Sequence, residues 1–116
     1  MIVDDHLLIR QTWSFLLGKT ENFDVVADTG DGEQAIELAR EKRPDVILLD
    51  IKMPYMNGWE FLEEYQTFPK AILNTCKLFM FSSSADPEDV GKSKTYTVVR
   101  GFIHKPLSVD KLSSLK

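Results

Sequence analysis

Several features that mark particular protein classes are scarce in this chain of 116 residues. Its one cysteine, Cys76, cannot form an internal disulfide, and we expect it to be a small apolar filler beside a strand. No apolar run reaches the roughly 18 residues that span a bilayer, and no secretory signal pattern is visible. These absences predict a cytoplasmic protein that does not contact a membrane.

Positive charge is also scarce. The chain has 14 Lys and Arg against 18 Asp and Glu, and its formal net charge is −4. The basic residues are scattered, whereas a nucleic-acid-binding surface needs them clustered opposite the phosphates. We therefore expect no nucleic acid to contact this domain.

Apolar runs and amphipathic stretches alternate from end to end, which is typical of βαβ units with a parallel sheet. The pattern predicts an α/β fold with a doubly wound, five-stranded parallel sheet and helices on both faces. Strands are predicted at residues 2–3, 23–27, 46–49, 78–81 and 101–104. Helices are predicted at residues 6–17, from the cap Asp31 to before Pro44, at 59–65, from Asp86-Pro87, and briefly from Ser108. We expect one domain over residues 1–116, whose short first strand and last helix indicate trimming at both ends or weak edge elements.

Charged side chains follow three of these strands directly. Asp4 and Asp5 follow the first strand, Asp50 follows the third, and Lys105 follows the fifth. Ligands of such sheets bind beyond the carboxyl ends of the strands, so these groups are expected to meet. Mg²⁺ takes few carboxylates and fills its other positions with water or phosphate. Asp5 and Asp50 as direct ligands, with Asp4 bound through water, suit that preference.

Other polar residues near the strand ends have more ordinary interpretations. Ser82 follows the fourth strand and can hydrogen-bond a phosphoryl oxygen, although a run of three serines is also common in turns. A lysine such as Lys105 can hold a phosphoryl oxygen as a point charge. His6 and His104 are expected to be exposed or strand residues and not ligands. The sequence has no glycine-rich phosphate loop and no serine-hydrolase elbow.

These motifs together resemble the receiver (CheY-like) domain of two-component response regulators, and the resemblance covers essentially the whole chain. The residues that carry it are Val3-Asp4-Asp5, Leu49-Asp50, Met53-Pro54-Tyr55-Met56-Asn57-Gly58, Ser82 and Lys105-Pro106. The resemblance implies the flavodoxin-like strand order 2-1-3-4-5. It also implies a phosphoacceptor switch, which takes a phosphoryl group from a sensor histidine kinase or a phosphotransfer protein.

The resemblance further implies a role for each site residue. Asp50 is similar to the phosphoacceptor of the family, and Mg²⁺ would be bound by Asp4, Asp5, Asp50 and the backbone carbonyl of Lys52. Lys105 and Ser82 correspond to the contacts with the phosphoryl oxygens. Ser82 and Phe102 occupy the switch positions, and Phe102 lacks the hydroxyl of a tyrosine. Lys52 and Ser84 flank the site at the rim positions that tune the phosphoryl lifetime.

The signal would leave through the face formed by the fourth predicted helix, the fifth strand and the last helix. Phosphorylation would change the affinity of this face for a downstream protein, with the domain as a monomer or a phosphorylation-dependent dimer. The domain would not be an enzyme, because its only chemistry is on itself. Two alternatives stay open, a Mg²⁺-dependent aspartyl-phosphate phosphatase or phosphotransferase acting on small molecules and a relative that lost phosphorylation. The phosphatase usually needs a second acid where Lys52 stands, and the intact site residues argue against the lost-function relative.

Overall fold

The computed structural model describes residues 1–19, 23–53, 55–82 and 86–105. Strands and helices alternate along most of this part of the chain, and two helices follow one another after the third strand. The strands are β1 (Ile2–Val3), β2 (Asp28–Thr29), β3 (Val46–Leu49), β4 (Lys77–Ser82) and β5 (Val99–His104). The helices are α1 (Leu7–Gly18), α2 (Gly32–Lys42), α3 (Gly58–Tyr65), α4 (Lys70–Thr75) and α5 (Pro87–Ser93).

The five strands form one sheet in the order β2-β1-β3-β4-β5, and every neighbouring pair is parallel. Both the fold class and the strand order predicted above are confirmed. The order reverses direction at β1 and β3, which are neighbours although α1, β2 and α2 separate them along the chain. In open parallel sheets this reversal opens a crevice at the carboxyl ends of the two strands.

Helices cover the central strands on both faces, which explains why those strands are apolar without alternation. On one face, Trp13 and Leu17 of α1 pack with side chains such as Phe81 and Ile2. On the other face, side chains of α2 and α3 form a larger hydrophobic cluster with the strand residues that alternate with those of the first face. That cluster includes Val3, Ala35, Ile36, Ala39, Ile47, Leu49, Phe61, Leu62, Tyr65, Leu78 and Met80. Cys76 is buried in the same cluster, as expected of an apolar filler.

Three of the five described helices, α2, α3 and α5, begin where a side chain accepts a hydrogen bond from one of the first free backbone N–H groups. Asp31 caps α2 by accepting from the Glu33 N–H at 2.9 Å, and Asp86 caps α5 in the same way. At α3, Asn57 accepts from the Glu60 N–H at 2.9 Å, while the Glu60 carboxylate accepts from the Asn57 N–H at 3.1 Å. This reciprocal capping box satisfies two backbone donors at once and fixes the first turn of α3.

We expect the substitution Asn57→Ala to lower the free energy of unfolding by about 1 kcal/mol, because it leaves the Glu60 N–H without its side-chain acceptor. Urea-induced unfolding monitored by circular dichroism measures the change. The matched control is Asn74→Ala on the exposed surface of α4, where no cap is lost and alanine favours the helix. Equal losses in the two variants would contradict a capping role.

The second strand differs from its prediction. We predicted a strand over residues 23–27, whereas only Asp28 and Thr29 pair with β1. Residues 23–27 do keep the burial alternation of a strand, with Phe23, Val25 and Ala27 more buried than their neighbours. Ala27 still accepts a hydrogen bond from the Ile2 N–H at 3.2 Å, but residues 23–26 pair with no strand in the described part of the chain, because β1 begins at Ile2, level with Asp28. Pairing therefore ends where the neighbouring strand ends.

Smaller differences affect other elements. Helix α4 was not predicted, because its six residues are too few to display a helical period. Strands β4 and β5 begin one and two residues earlier than predicted, and α3 begins at Gly58 instead of Trp59. Pairing to a neighbour extends a strand beyond its apolar run, and such ends are not visible in composition. The predicted helix from Ser108 lies outside the described residues.

Candidate phosphoacceptor and metal site

The carboxyl ends of β1, β3 and β5 bring four charged side chains together. Val3 is level with Leu49 in the sheet, so Asp4 and Asp50 emerge side by side. The Asp4 N–H donates to the Thr29 carbonyl at 3.0 Å, and the Asp50 N–H donates to the Val3 carbonyl at 2.8 Å. The main chains that carry both acids are thus held by the last rungs of the sheet.

The acids converge closely enough to share one ion. One ligand atom each from Asp4, Asp5, Asp50 and His6 can be chosen so that all lie within 4.8 Å of one another. Asp4 is fully buried and Asp50 is 5% exposed, whereas Asp5 is more open to solvent. The site therefore has a buried floor of two carboxylates and an open side at Asp5 and His6.

Lys105 supplies the positive charge beside this floor. Its Nζ lies 2.5 Å from Asp4 Oδ2 and 3.4 Å from Asp50 Oδ1, and the side chain is 10% exposed. The Lys105 N–H donates to the Ser82 carbonyl at 2.8 Å, which ties the end of β5 to the end of β4. The ammonium also lies 5.3 Å from the centre of the Phe81 ring. Lys105 is thus aimed at the acids by the sheet and by the core beneath it.

The environment of Asp50 disfavours its charge. Burial is the largest effect, and repulsion from Asp4 adds to it, so that the pKa of Asp50 rises from 3.8 to about 6. Attraction to Lys105 and its hydrogen bond act in the opposite direction but are outweighed. Negative charge therefore exceeds what the lysine compensates, and a divalent cation would relieve the excess.

The donor set fits Mg²⁺. Mg²⁺ takes oxygen ligands, binds through one or two carboxylates and keeps several waters. Asp5 and Asp50 offer such carboxylates, and the partly exposed Asp5 leaves room for water. Both oxygens of Asp4 already accept hydrogen bonds, from Lys105 at Oδ2 and from the His6 N–H at Oδ1. Asp4 is therefore better suited to act through a water molecule than as a direct ligand.

A close backbone approach at Gly58 and a side-chain contact of Arg10 support the main chain beside Asp50 and the acid pair. A Cβ on Gly58 would lie 2.6 Å from the Asp50 carbonyl oxygen, so the start of α3 passes too close for any other residue without a shift. The Gly58 N–H donates to the Ile51 carbonyl at 2.9 Å across the same contact. Arg10 of α1 donates from Nη1 to the Asp4 carbonyl at 2.7 Å and from Nε to Asp28 at 3.1 Å. Arg10 thus joins the turn of the acid pair to the end of β2.

Three of the remaining predicted site residues belong to the described part of the chain. Ser82 is buried at the end of β4, and Phe102 lies half-buried on β5 with its ring 5.3 Å from that of His104. Lys52 is exposed two residues beyond Asp50. Ser84 lies outside the described residues.

Sequence reasoning missed two residues at the site. His6 is exposed, as predicted, but its Nδ1 also lies 3.1 Å from a carboxylate oxygen of Asp4 and 3.1 Å from one of Asp5. Its position directly after the acid pair was the available signal. Arg10 gave no comparable signal, because its contact depends on which way the first turn of α1 faces.

A cavity of about 660 Å³ lies at the opposite edge of the sheet, away from these acids. Ile2, Leu17, Phe23 and Val46 line it, together with other residues near the amino ends of β1 and β3. It is bordered by residues 23–26, where the second strand is unpaired. None of the predicted site residues lines this cavity.

Each helix in the described part of the chain is too short or too polar to span a bilayer.

Comparison with known proteins gives consistent matches. The family model described as "Response regulator receiver domain" matches residues 1–115. "Transcriptional regulatory protein DegU" of Brevibacillus brevis is 36% identical over 113 residues, covering 97% of this chain and 45% of that protein. The chain thus spans less than half the length of this relative.

Two solved structures are similar over nearly the whole chain. The response regulator receiver protein of Dyadobacter fermentans has 34% identity and a TM-score of 0.88, over 98% of this chain and 91% of that one. The CheX-CheY-BeF3-Mg+2 complex of Borrelia burgdorferi has 27% identity and a TM-score of 0.81, over 97% of this chain and 81% of that one.

Proposed function

Since the chain belongs to the response regulator receiver domain family of two-component systems, we propose that Asp50 is its phosphoacceptor. The observation that carries the proposal is the convergence of Asp50 with two further acids and one buried lysine at a single edge of the sheet. The donor would be a phosphohistidine on a sensor histidine kinase or a phosphotransfer protein. The predicted location, the cytoplasm, stays a prediction.

The transfer needs placement and charge compensation more than covalent assistance. An Asp50 carboxylate oxygen forms a bond to phosphorus, while the bond from phosphorus to the histidine nitrogen breaks and leaves its electron pair on nitrogen. At neutral pH Asp50 is mostly ionised, because its pKa of about 6 lies below that pH. A nucleophilic carboxylate is therefore available.

Mg²⁺ would be held by Asp5 and Asp50, with Asp4 through water and the backbone carbonyl of Lys52 as a further oxygen ligand. Bound there, the ion would compensate charge on the phosphoryl oxygens. The Borrelia burgdorferi relative, whose complex contains both BeF₃ and Mg²⁺, supports this assignment. Lys105 would hold a phosphoryl oxygen by its ammonium, and Ser82 would hold another by its hydroxyl. Lys52 and Ser84 would border the acyl phosphate and affect its lifetime.

Phosphorylation of Asp50 would change which groups the Lys105 ammonium contacts. In the unphosphorylated protein its ammonium is shared between Asp4 and Asp50. A phosphoryl group adds roughly −1.5 to −2 charges beside it. Movement of Ser82 toward the new oxygens would open space that Phe102 on β5 could enter. The face that includes α5 and β5 would then change its affinity for a downstream protein.

The proposal is tested with a small phosphoryl donor, so no partner protein is needed. With acetyl phosphate and Mg²⁺, we expect the intact mass to rise by about 80 Da, as one phosphoryl group requires. Asp50→Asn should show no increase, and a chelator should abolish the increase in the unmodified protein. Asp24→Asn is the control, because Asp24 is an exposed acid that lines the cavity at the opposite edge. If Asp50→Asn were labelled at the same rate as the protein without substitutions, the phosphoacceptor would be a different residue.

The same samples separate this function from the alternative enzyme. A phosphatase acting on small molecules would hydrolyse p-nitrophenyl phosphate with multiple turnovers. We expect none, because Lys52 stands at the position where such an enzyme usually has its second acid. Sustained turnover that Asp50→Asn abolishes would favour the enzyme.

A further inference from the structure

We propose that His6 is a metal ligand, which makes this site prefer first-row transition dications such as Ni²⁺ to Mg²⁺. The inference deepens the proposed function, since it concerns the same cation site, and it adds a nitrogen donor to a set of oxygen donors. Imidazole suits Ni²⁺, Cu²⁺ and Zn²⁺, whereas Mg²⁺ is bound almost entirely by oxygen. One side chain can therefore change which ion the site takes.

The distances around His6 fit a shared ion. Its Nδ1 lies 3.1 Å from Asp4 Oδ1 and 3.1 Å from Asp5 Oδ1. Neighbouring donors in an octahedral site with bonds of about 2.1–2.2 Å are about 3 Å apart. The nitrogen is thus already at the separation from Asp5 that two ligands of a common metal ion require, and Asp4, which would act through water, lies equally near.

The main chain fixes His6 in this position. It is the residue before α1, with an extended backbone, and its N–H donates to Asp4 Oδ1 at 2.9 Å. The His6 carbonyl accepts from the Arg10 N–H at 3.0 Å in the first turn of the helix. Arg10 in turn holds the Asp4 carbonyl. Three hydrogen bonds thus join the main chain of His6, the acid Asp4 and the first turn of α1.

The charges around the site leave Asp5 and His6 as its most accessible ligands, beside the buried Asp50. Lys105 occupies Asp4 Oδ2, and the carbonyl of Asp4 is taken by the Arg10 guanidinium. Asp5 and His6 are both partly open to solvent, with side-chain exposures of 29% and 63%. A metal ion can therefore reach Asp5 and His6 without displacing the Lys105 ammonium or the Arg10 guanidinium.

The same contact also has a simpler interpretation, in which the His6 ring only donates a hydrogen bond to the two acids. The two interpretations differ in what removal of the ring does. A hydrogen-bonding His6 would support the acids equally for every cation. A ligand His6 would matter for Ni²⁺ and hardly at all for Mg²⁺.

The test is a pair of calorimetric titrations with NiCl₂ and MgCl₂ on the tag-free protein, His6→Ala and His104→Ala. His104 is the other histidine of the chain and lies exposed on β5. We expect the unmodified protein to bind Ni²⁺ at least about 10-fold more tightly than Mg²⁺. His6→Ala should weaken Ni²⁺ about 10-fold or more and change Mg²⁺ by less than about twofold, whereas His104→Ala should change neither.

Equal Ni²⁺ affinity in the unmodified protein and His6→Ala would overturn the proposal, and so would a parallel loss for both metals. A variant that fails to fold is replaced by His6→Phe, which keeps the ring bulk without a donor. The proposed phosphoacceptor function has its own readout, the mass increase with Mg²⁺ and acetyl phosphate. Either inference can therefore fail while the other stands.

Discussion

Replacing Asp50 with asparagine is expected to raise the free energy of unfolding of the metal-free protein by about 1–3 kcal/mol at about pH 8. Burial and the neighbouring Asp4 raise the pKa of Asp50 from 3.8 to about 6, which means that its ionised form is disfavoured in the folded protein. A difference of about two pKa units corresponds to about 3 kcal/mol at most. Asparagine has nearly the same shape without the charge, so the penalty disappears while a polar group stays beside Lys105.

The sign of the pH dependence follows from the raised pKa. Below the unfolded value of 3.8 Asp50 is protonated in both states, and no penalty exists. As the pH rises toward about 6, the folded state holds its proton longer than the unfolded state, so stability falls. Above that pH the full penalty applies. The gain from Asp50→Asn is therefore expected to be small at about pH 4 and complete at about pH 8.

Urea-induced unfolding with a chelator present, at three pH values between about 4 and 8, measures this gain. Asp24→Asn is the control, because that acid is exposed and distant from the acid cluster. Saturating Mg²⁺ should reduce the difference in unfolding free energy between Asp50→Asn and the protein without substitutions. The ion binds the intact site and stabilises the folded state of that protein. A gain of the same size at every pH would show that the ionisation of Asp50 is not its cause.

The core of the site was predictable because two kinds of signal coincide at its residues. The run Val46–Leu49 is continuously apolar, which indicates a strand buried on both faces, and Asp50 ends that run. Parallel strands put their carboxyl ends at one edge, so the order along the chain already indicates that Asp4 and Asp50 meet. Neither inference depends on side-chain contacts.

Features that depend on three-dimensional register could not be predicted in this way. Residues 23–27 carry a strand pattern, but pairing also requires a neighbour, and β1 ends its ladder at Ile2. The contact of His6 with both acids depends on the direction in which the backbone turns before α1. In the sequence, His6 cannot be distinguished from a histidine that is merely exposed to solvent. Only the distances of its Nδ1 from Asp4 and Asp5 in the structure distinguish it.

Replacing Lys105 with methionine is expected to lower the free energy of unfolding by about 3–5 kcal/mol at about pH 8 without metal. Methionine keeps much of the length of the side chain but removes the ammonium that lies between Asp4 and Asp50. Both acids are buried, so their repulsion would be left without a compensating positive charge. Loss of one partner from a buried ion pair is costly because the other charge remains in a poorly solvated place.

Unfolding of Lys105→Met by urea at about pH 5 and about pH 8 tests whether charge is the cause. The loss should be smaller at the lower pH, where Asp50 can hold a proton, and Mg²⁺ should restore part of it at the higher pH. Lys77→Met is the control, because Lys77 is the first residue of β4 and lies at the end of that strand opposite to Ser82 and the acids. No comparable loss of unfolding free energy is expected in this variant. Combining Lys105→Met with Asp50→Asn should cost less than the sum of the separate changes, because the two charges interact. Equal losses at both pH values would instead show that the charge of Asp50 is not the cause and would leave the contacts of Lys105 with Asp4 and the Phe81 ring.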